Sequence, residues 1–534
     1  MVQQCDVLIV GAGPVGLMLA ILLKKQRIAC RIIDKMVIRQ GYCKALGIQP
    51  RSLEIWDDAG ILNPILNEGL CFKETRIFQD GKEIHSNLIT LPELPFGFLS
   101  IPQYKLEDIL VREAQELGLD IEQGIELLHF DQTDEEVIVE LRDNNTGTED
   151  KIRFRYLIGC DGAHSTTRKR LNLTFEGGKF PQTFMLADVR VHWEFPHQTN
   201  YRFNYKDGDF ENTVVLVPYR GDRRFRISTT VPESLMNEIT DGKPTLEQFA
   251  TVLKKAIPGE VKLDDLRWSS MYQISHRIVN QYFSGRVFLA GDSAHIHPPI
   301  GGQGLNTGIQ DAYNLAWKLA LVLKNKAQAT LLESYHEERR PVGLDVVNRT
   351  HERMLNKTVD MSDAHYALLL NSQTLINYRT SALSISDALS AEDWSTMPGD
   401  RAPDVPGLKR DVMNFTIRLF EILRGNQFNL FLYLDNTMPG HERDTILTDC
   451  EDLQNDLGNL ATIYLIAPAD FSLSENSSLT LVSDLENHFK TAYNAKAGRV
   501  YLVRPDNYIA YQSDQPSRQK ILQYFKEIAI RVNG

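Results

Sequence analysis

Two glycine-rich stretches carry residue types and spacings from which chemistry can be read. Gly11-Ala-Gly13-Pro-Val-Gly16 has the G-x-G-x-x-G spacing of a dinucleotide pyrophosphate site. In that setting Gly11 permits a tight turn, Gly13 lets a phosphate approach the backbone, and Gly16 lets helix and strand pack closely. Free N–H groups and the positive end of the helix dipole then face the anion. Asp34 lies 18 residues beyond Gly16, where a carboxylate can accept hydrogen bonds from an adenosine ribose. The second stretch, Gly291-Asp-Ser-Ala-His-Ile-His-Pro-Pro-Ile-Gly-Gly-Gln-Gly-Leu-Asn306, puts an acceptor, Asp292, at the start of a Gly/Pro loop. Gly301, Gly302 and Gly304 let backbone amides approach a ligand just before a helix. That arrangement suits a flavin, because a helix start at Leu305 and Asn306 favours negative charge on the N1/C2=O edge of the ring.

The elements needed to position these residues are legible in the periodicity. Residues 6–10 form a short apolar run of β-branched character, residues 15–25 a helical pattern, and residues 29–33 a second strand ending at Asp34, together a β-α-β unit. Residues 103–117 are periodic like a helix, and 136–141 and 151–158 alternate like paired strands. The region 183–280 is strand-rich, with 214–218 and 224–227 among the clearer runs, and predicts an antiparallel sheet. A buried strand at 286–290 precedes the second glycine loop, and a long helical pattern follows from 305 to 323. Residues 351–397 read as connecting helices, and the breakers in 397–403 suggest a domain boundary before a C-terminal region of alternating strand and helix signals.

Other residues are better read as structure. His295 and His297 are spaced i, i+2 with no Cys or carboxylate cluster nearby, so hydrogen-bonded loop residues are expected and no metal site. Tyr201, Phe203, Tyr205 and Tyr219 lie on strands that would cover the ring, most of them as core packing. The six cysteines show no C-x-x-C pair and are expected to be mostly buried thiols of a reducing compartment. With 58 Lys+Arg against 70 Asp+Glu, net charge −12 and no basic run, nucleic acid is excluded as a partner. No stretch predicts a membrane span, and a cytoplasmic protein is expected.

The sequence resembles the class A (single-component) flavoprotein aromatic hydroxylases, the family of para-hydroxybenzoate hydroxylase and phenol hydroxylase. The resemblance rests on Gly11 to Gly16, on Asp161-Gly-Ala-His-Ser-Thr-Thr-Arg168 with its D-G-x-x-S-x-x-R pattern, and on Gly291-Asp292 extended through Gln303, Gly304 and Asn306. Ser334-Tyr-His-Glu-Glu-Arg-Arg-Pro341 also looks like the family. The resemblance implies a fold of α/β and α+β class: a Rossmann-type FAD-binding domain (1–72, 104–182, 281–350) interleaved with an antiparallel-sheet substrate domain (73–103, 183–280). Connecting helices (351–397) and a thioredoxin-like C-terminal domain (398–534) follow, the last without C-x-x-C and so with a structural or dimer-contact role.

By the same resemblance Gly11, Gly13, Pro14, Val15, Gly16, Asp34 and Lys35 would hold the adenosine end of FAD, with Asp34 on the ribose. Gln103 would contact FAD, Asp292 beside Gly291 would bind the ribityl or pyrophosphate, and Gly302, Gly304, Leu305 and Asn306 would hold the isoalloxazine. Asp161, Gly162 and Arg168 would support both FAD and a transient approach of NADPH or NADH, since a second G-x-G-x-x-G is not evident. Pro299, Gly304 and Asn306 would be the catalytic set, Pro299 lining the substrate side of the ring. Lys44 stands where the family usually has Arg and lacks its bidentate fork.

The implied reaction is hydroxylation of a small aromatic, phenolic or polyketide-like substrate by O2 through a flavin C4a-hydroperoxide, in a homodimer. Epoxidation or Baeyer-Villiger oxygen insertion on the same scaffold is the nearby alternative, and a catalytically inert flavin-binding regulatory protein the distant one. Halogenation is disfavoured by the missing W-x-W-x-I-P.

Overall fold

A computed structural model describes residues 5–39, 41, 45–207, 210–356, 364–387, 394–473 and 478–532. Val7–Val10 is the centre of a six-stranded sheet, flanked in parallel by Tyr156–Gly159 on one side and Cys30–Asp34 on the other. All four of its residues are buried, but they face two different layers. Val7 and Ile9 pack with Leu17, Leu19 and other residues of the helix Pro14–Lys25, whereas Leu8 and Val10 pack against Leu127, Val139 and Phe154 of a three-stranded antiparallel sheet. A strand covered on both faces has no polar alternation, which is why its sequence reads as one apolar run.

The stretch 151–158, read from the sequence as one strand, is two. Glu149–Phe154 closes the three-stranded sheet, and Tyr156–Gly159 enters the parallel sheet. The chain changes sheets at Arg155, whose N–H donates to the carbonyl of Asp6. Alternation cannot reveal such a change, because both halves remain extended and apolar on one side.

An eight-stranded sheet forms the second layer system, built from Phe175–His192, Arg224–Thr230, Phe210–Pro218, Thr199–Asp207 and Lys262–Val279, with Glu74–Gln79 and Lys82–Leu88 at one edge and the short strand His295–Ile296 at the other. It is antiparallel as expected except where Thr199–Asp207 runs parallel to Glu74–Gln79. The helix Leu246–Ala256 covers its far face, started by a capping box between Thr245 and Gln248.

The helix Gln303–Leu323 runs through the centre of the molecule and is buried along nearly its whole length. Beyond it, the region expected to hold connecting helices contains the helix Ala364–Ser372 and then the strand Ile385–Asp387. That strand pairs with Ile509–Ser513, so the C-terminal sheet begins before residue 398. The breaker-rich 397–403 is not a free linker: Gly399 and Ala402 donate to the carbonyls of Ile509 and Asn507. Among the described cysteines Cys30 and Cys450 are buried, Cys5 and Cys160 half-buried, and Cys71 exposed on the short strand Leu70–Cys71, which corrects the expectation of mostly buried thiols.

Candidate functional site

The first glycine loop has the geometry its spacing dictates. Gly11 has φ 105°, a conformation that L side chains rarely adopt, and a Cβ there would lie 2.4 Å from the carbonyl oxygen of Cys160. A Cβ on Gly16 would lie 2.0 Å from the carbonyl oxygen of Gly11. Gly13 differs from both, since a Cβ there meets nothing within 4 Å. It stands at the N-cap of Pro14–Lys25 with no side chain capping the helix, and the Gly13–Val15 turn lines a cavity of about 3050 Å³.

A second helix ends on the same cavity. Gly301 and Gly302 take φ of 73° and 65° and turn the chain into Gln303–Leu323, again with no side-chain cap. Gln303, Gly304 and Leu305 line the cavity, as do Pro299, Asp292, Lys35, Asp161, Gly162 and Gln103. Two uncapped helix N-termini on one cavity offer amides to two separate parts of a long ligand. The residues present therefore fit a flavin dinucleotide.

Several expected contacts turn out to be internal. Asp34 accepts from the amides of Ala12 and Met36, both at 2.9 Å, and so holds the loop; it does not line the cavity, whereas its neighbour Lys35 does. Asp161 accepts from Ser165 Oγ at 2.5 Å and from Thr167 N at 3.0 Å, which caps the helix Thr166–Arg170. Arg168 is buried and donates to the carbonyls of Ser293 and Ala163 at 2.9 and 2.8 Å, thereby locking the second fingerprint onto the third. Asn306 is fully buried: its Oδ1 accepts from Gln49 N at 2.9 Å and its Nδ2 donates to the carbonyls of Gly47 and Gly302. It straps the loop at 47–49 to the helix start and does not line the cavity. Gln103 accepts from Ala45 N and donates to Glu107, holding a neighbouring loop. Lys44 lies outside the described residues.

Both histidines are hydrogen-bonded, but only His297 is a loop residue; His295 lies on the short strand His295–Ile296, which pairs with Lys262–Val279. His295 Nε2 is 2.7 Å from Asp311 Oδ2, and His297 Nδ1 is 2.8 Å from the carbonyl oxygen of Pro298. Burial pushes His297 down to about 4, against the pull of the Pro298 carbonyl, and it is neutral at ordinary pH. Among the described residues no group of three or more His, Cys, Asp or Glu side chains is gathered to hold a metal ion.

Asp311 is a residue the sequence reading missed. It accepts from Gly291 N at 3.0 Å, from Arg339 Nε at 2.8 Å and pairs with His295, anchoring the loop from behind. Burial raises its carboxyl, but His295 and Arg339 together outweigh that and leave it below its usual range. The available signal was the polar series Gln310, Asp311, Asn314 and Lys318 at helical spacing in an otherwise apolar helix.

Opposite the helix ends, the eight-stranded sheet supplies the remaining wall. Period-two alternation divides its residues. Phe203 and Tyr205, together with Tyr201, pack into the core with Phe225 and Ile227, and Tyr219 is equally buried. The other parity, including Arg202, Val215, Arg226, Ser228 and Tyr272, lines the cavity. Arg226 is held by a buried bidentate pair with Asp188 at 2.7 and 2.9 Å. Tyr272 Oη lies 3.2 Å from Ser228 Oγ, and burial raises its phenol above the ordinary value despite that contact and the nearby Arg226.

Residues 4–350 match the family model described as FAD binding domain. A flavin-dependent monooxygenase of Mycobacteroides abscessus is 30% identical over 98% of this chain and 99% of its own length. Pentachlorophenol 4-monooxygenase of Sphingobium chlorophenolicum is 28% identical over 99% and 98%. A solved ternary complex of aklavinone-11 hydroxylase with FAD and aklavinone shares the fold, with TM-score 0.79 and 22% identity over 99% of this chain and 100% of that one. On the match that covers its N-terminal 4–350 and on the full-length similarity, the chain belongs to the FAD-binding-domain family and is a flavin-dependent monooxygenase.

Proposed function

We propose that the chain hydroxylates an aromatic, phenolic or polyketide-like, substrate with NADPH or NADH and O2. One oxygen atom enters the ring, the other leaves as water, and the nicotinamide supplies the two electrons. Bound FAD supplies the oxygen chemistry, and the protein supplies position, charge and a dry pocket. The observation that carries this reading is that two uncapped helix N-termini and the open face of a sheet bound one cavity. Its volume of about 3050 Å³ exceeds the roughly 300–1,000 Å³ of a single ligand site, which leaves room for a substrate beside the cofactor.

In this reading the amides of Gly13 and Val15 hold the pyrophosphate, Asp34 and Lys35 the adenosine end, and Asp292 the ribityl. The amides of Gln303, Gly304 and Leu305 hold the ring, Pro299 lines its substrate side, and Arg226, Ser228 and Tyr272 face the substrate. Asp161, Arg168 and Asn306 are positioning residues: Asp161 caps the helix of its own motif, Arg168 ties that motif to the loop at Ser293, and Asn306 straps the loop at 47–49 to the helix start. The names of the relatives, a chlorinated phenol and a polycyclic aglycone among their compounds, support an aromatic ligand.

The C-terminal sheet supports a thioredoxin-like reading. Ala461–Pro468, Phe428–Tyr433, Val500–Val503 and Ile509–Ser513 are adjacent in that order, parallel in the first pair and antiparallel thereafter. We assign it a structural role, in a cytoplasmic homodimer.

The test is oxidation of NADPH or NADH by the FAD-loaded protein across a panel of phenols and polycyclic phenols. The expected result is substrate-stimulated oxidation with a hydroxylated product in matching amount. Oxidation giving only H2O2 with every compound would overturn it.

A further inference from the structure

Gln373 combines three properties that rarely occur together. It is 1% exposed, it has φ 63°, and its side chain is hydrogen-bonded at both ends. A left-handed conformation is strained for a non-glycine residue, and it persists where the surroundings over-determine it. Here the surroundings are the first two turns of the helix beginning at Gln303. Gln373 Nε2 donates to Gln303 Oε1 at 2.6 Å and to Thr307 Oγ1 at 3.1 Å, and its Oε1 accepts from Gln310 Nε2 at 2.6 Å. Gln303 in turn donates to the carbonyl of Asn371 at 3.2 Å, and Arg353 Nη1 donates to Asn371 Oδ1 at 2.9 Å. Gln303, Asn371 and Arg353 all line the cavity, whereas Gln373 lies behind them.

These bonds fix both the position and the rotation of the helix start. A helix can slide or turn about its axis while keeping its internal hydrogen bonds, and apolar packing resists that weakly compared with directional bonds. The amides of Gln303, Gly304 and Leu305 are useful to a ligand only if they point at it within about half an ångström.

We propose that Gln373 is a positioning residue that aims the helix N-terminus at the flavin ring and thereby raises the preference for reduced over oxidised flavin. The inference rests on the proposed placement of the ring at Gln303–Leu305. A helix N-terminus stabilises negative charge, and reduced flavin carries more of it than oxidised flavin. Loss of the aim therefore weakens binding of the reduced form most.

The experiment compares wild type with Gln373→Gly and Gln373→Asn, each stripped of flavin and reloaded with FAD. Glycine relieves the left-handed backbone while deleting the amide. Asparagine tolerates that backbone but is one methylene too short to span Gln303 and Gln310. The readouts are FAD dissociation constant by fluorescence, two-electron potential against reference dyes, and melting temperature without FAD.

The expected result for both variants is at least tenfold weaker FAD binding. A further tenfold loss of preference for the reduced form is expected, which corresponds to a potential about 30 mV lower for a two-electron couple. This shift should appear whatever the melting temperature does. Wild-type affinity and potential in both variants would overturn the positioning role, even if they melt lower; should the glycine variant not fold, the asparagine variant decides alone. A wild-type chain that takes up no FAD would overturn the placement of the ring and this inference with it, an outcome the wild-type arm shows by itself.

Discussion

The two ends of the helix Gln303–Leu323 treat polar groups in opposite ways. At its N-terminus the backbone amides are uncapped and face a cavity. Toward its C-terminus, Asn314 and Lys318 enter a fully buried seam with Glu338, Arg504 and Asp506. There Glu338 receives Lys318 Nζ at 2.7 Å, Arg504 Nη1 at 2.6 Å and Ser381 Oγ at 2.7 Å. Burial alone would raise the Glu338 carboxyl, but Arg504 and Lys318 pull it well below the usual carboxylate range. Lys318 is driven down to about 8 by burial, with Glu338 opposing the shift. Polar groups matched to one another build architecture, and polar groups held open by glycines build a site. Because Arg504 and Asp506 lie in the turn between the strands Val500–Val503 and Ile509–Ser513 of the C-terminal sheet, the matched end also fastens that region to the cofactor domain.

The contrast can be broken first at the seam. Glu338→Leu strands Lys318 and Arg504 with one carboxylate between them, and a loss of about 3–5 kcal/mol of unfolding free energy is expected in denaturant titrations. Adding Lys318→Met should restore part of it. A cost below about 1 kcal/mol for the single substitution would show that the seam's pairing contributes little.

At the open end the two glycines of one motif should separate binding from folding. Gly16→Ala drives a methyl group into the carbonyl of Gly11, so the protein without FAD should lose about 1–3 kcal/mol. Gly13→Val extends into open space, so its melting temperature without FAD should match wild type. Its FAD affinity should nevertheless fall at least tenfold, or about 1.4 kcal/mol. Equal effects of the two on FAD-free stability would erase the distinction.

The smallest effect concerns His297, beside Gly304. Its folded value of about 4 lies below the unfolded value of about 6.5. Between those limits the unfolded chain binds the extra proton, so stability falls as pH is lowered through the window. The slope should be a fraction of about 1.4 kcal/mol per pH unit, read as melting temperature against pH, and His297→Gln should flatten it. An unchanged slope in that variant would assign the titration elsewhere.

Much of the open end was legible in the residues. The spacing of Gly11, Gly13 and Gly16, the run before them and Asp34 after them specify strand, turn, helix and acid through local sterics, and the structure has each of them. The seam was far less legible, because Glu338 and Arg504 meet only when two distant segments pack, and a single chain of letters does not say which charges find each other. The sheet wall shows the same limit. Alternation announced strands, yet it could not say that Phe203 and Tyr205 turn to the core while Arg202 turns to the cavity.

Asp161, Arg168 and Asn306 mark the boundary between the two kinds of knowledge. The sequence by itself determined that these residue types stand at fingerprint positions, since motif spacing is a local property of the backbone. Tertiary structure alone decided that Arg168 reaches the carbonyl of Ser293 and Asn306 the backbone of Gln49, because the partner of a long-range hydrogen bond depends on what packing brings within 3 Å.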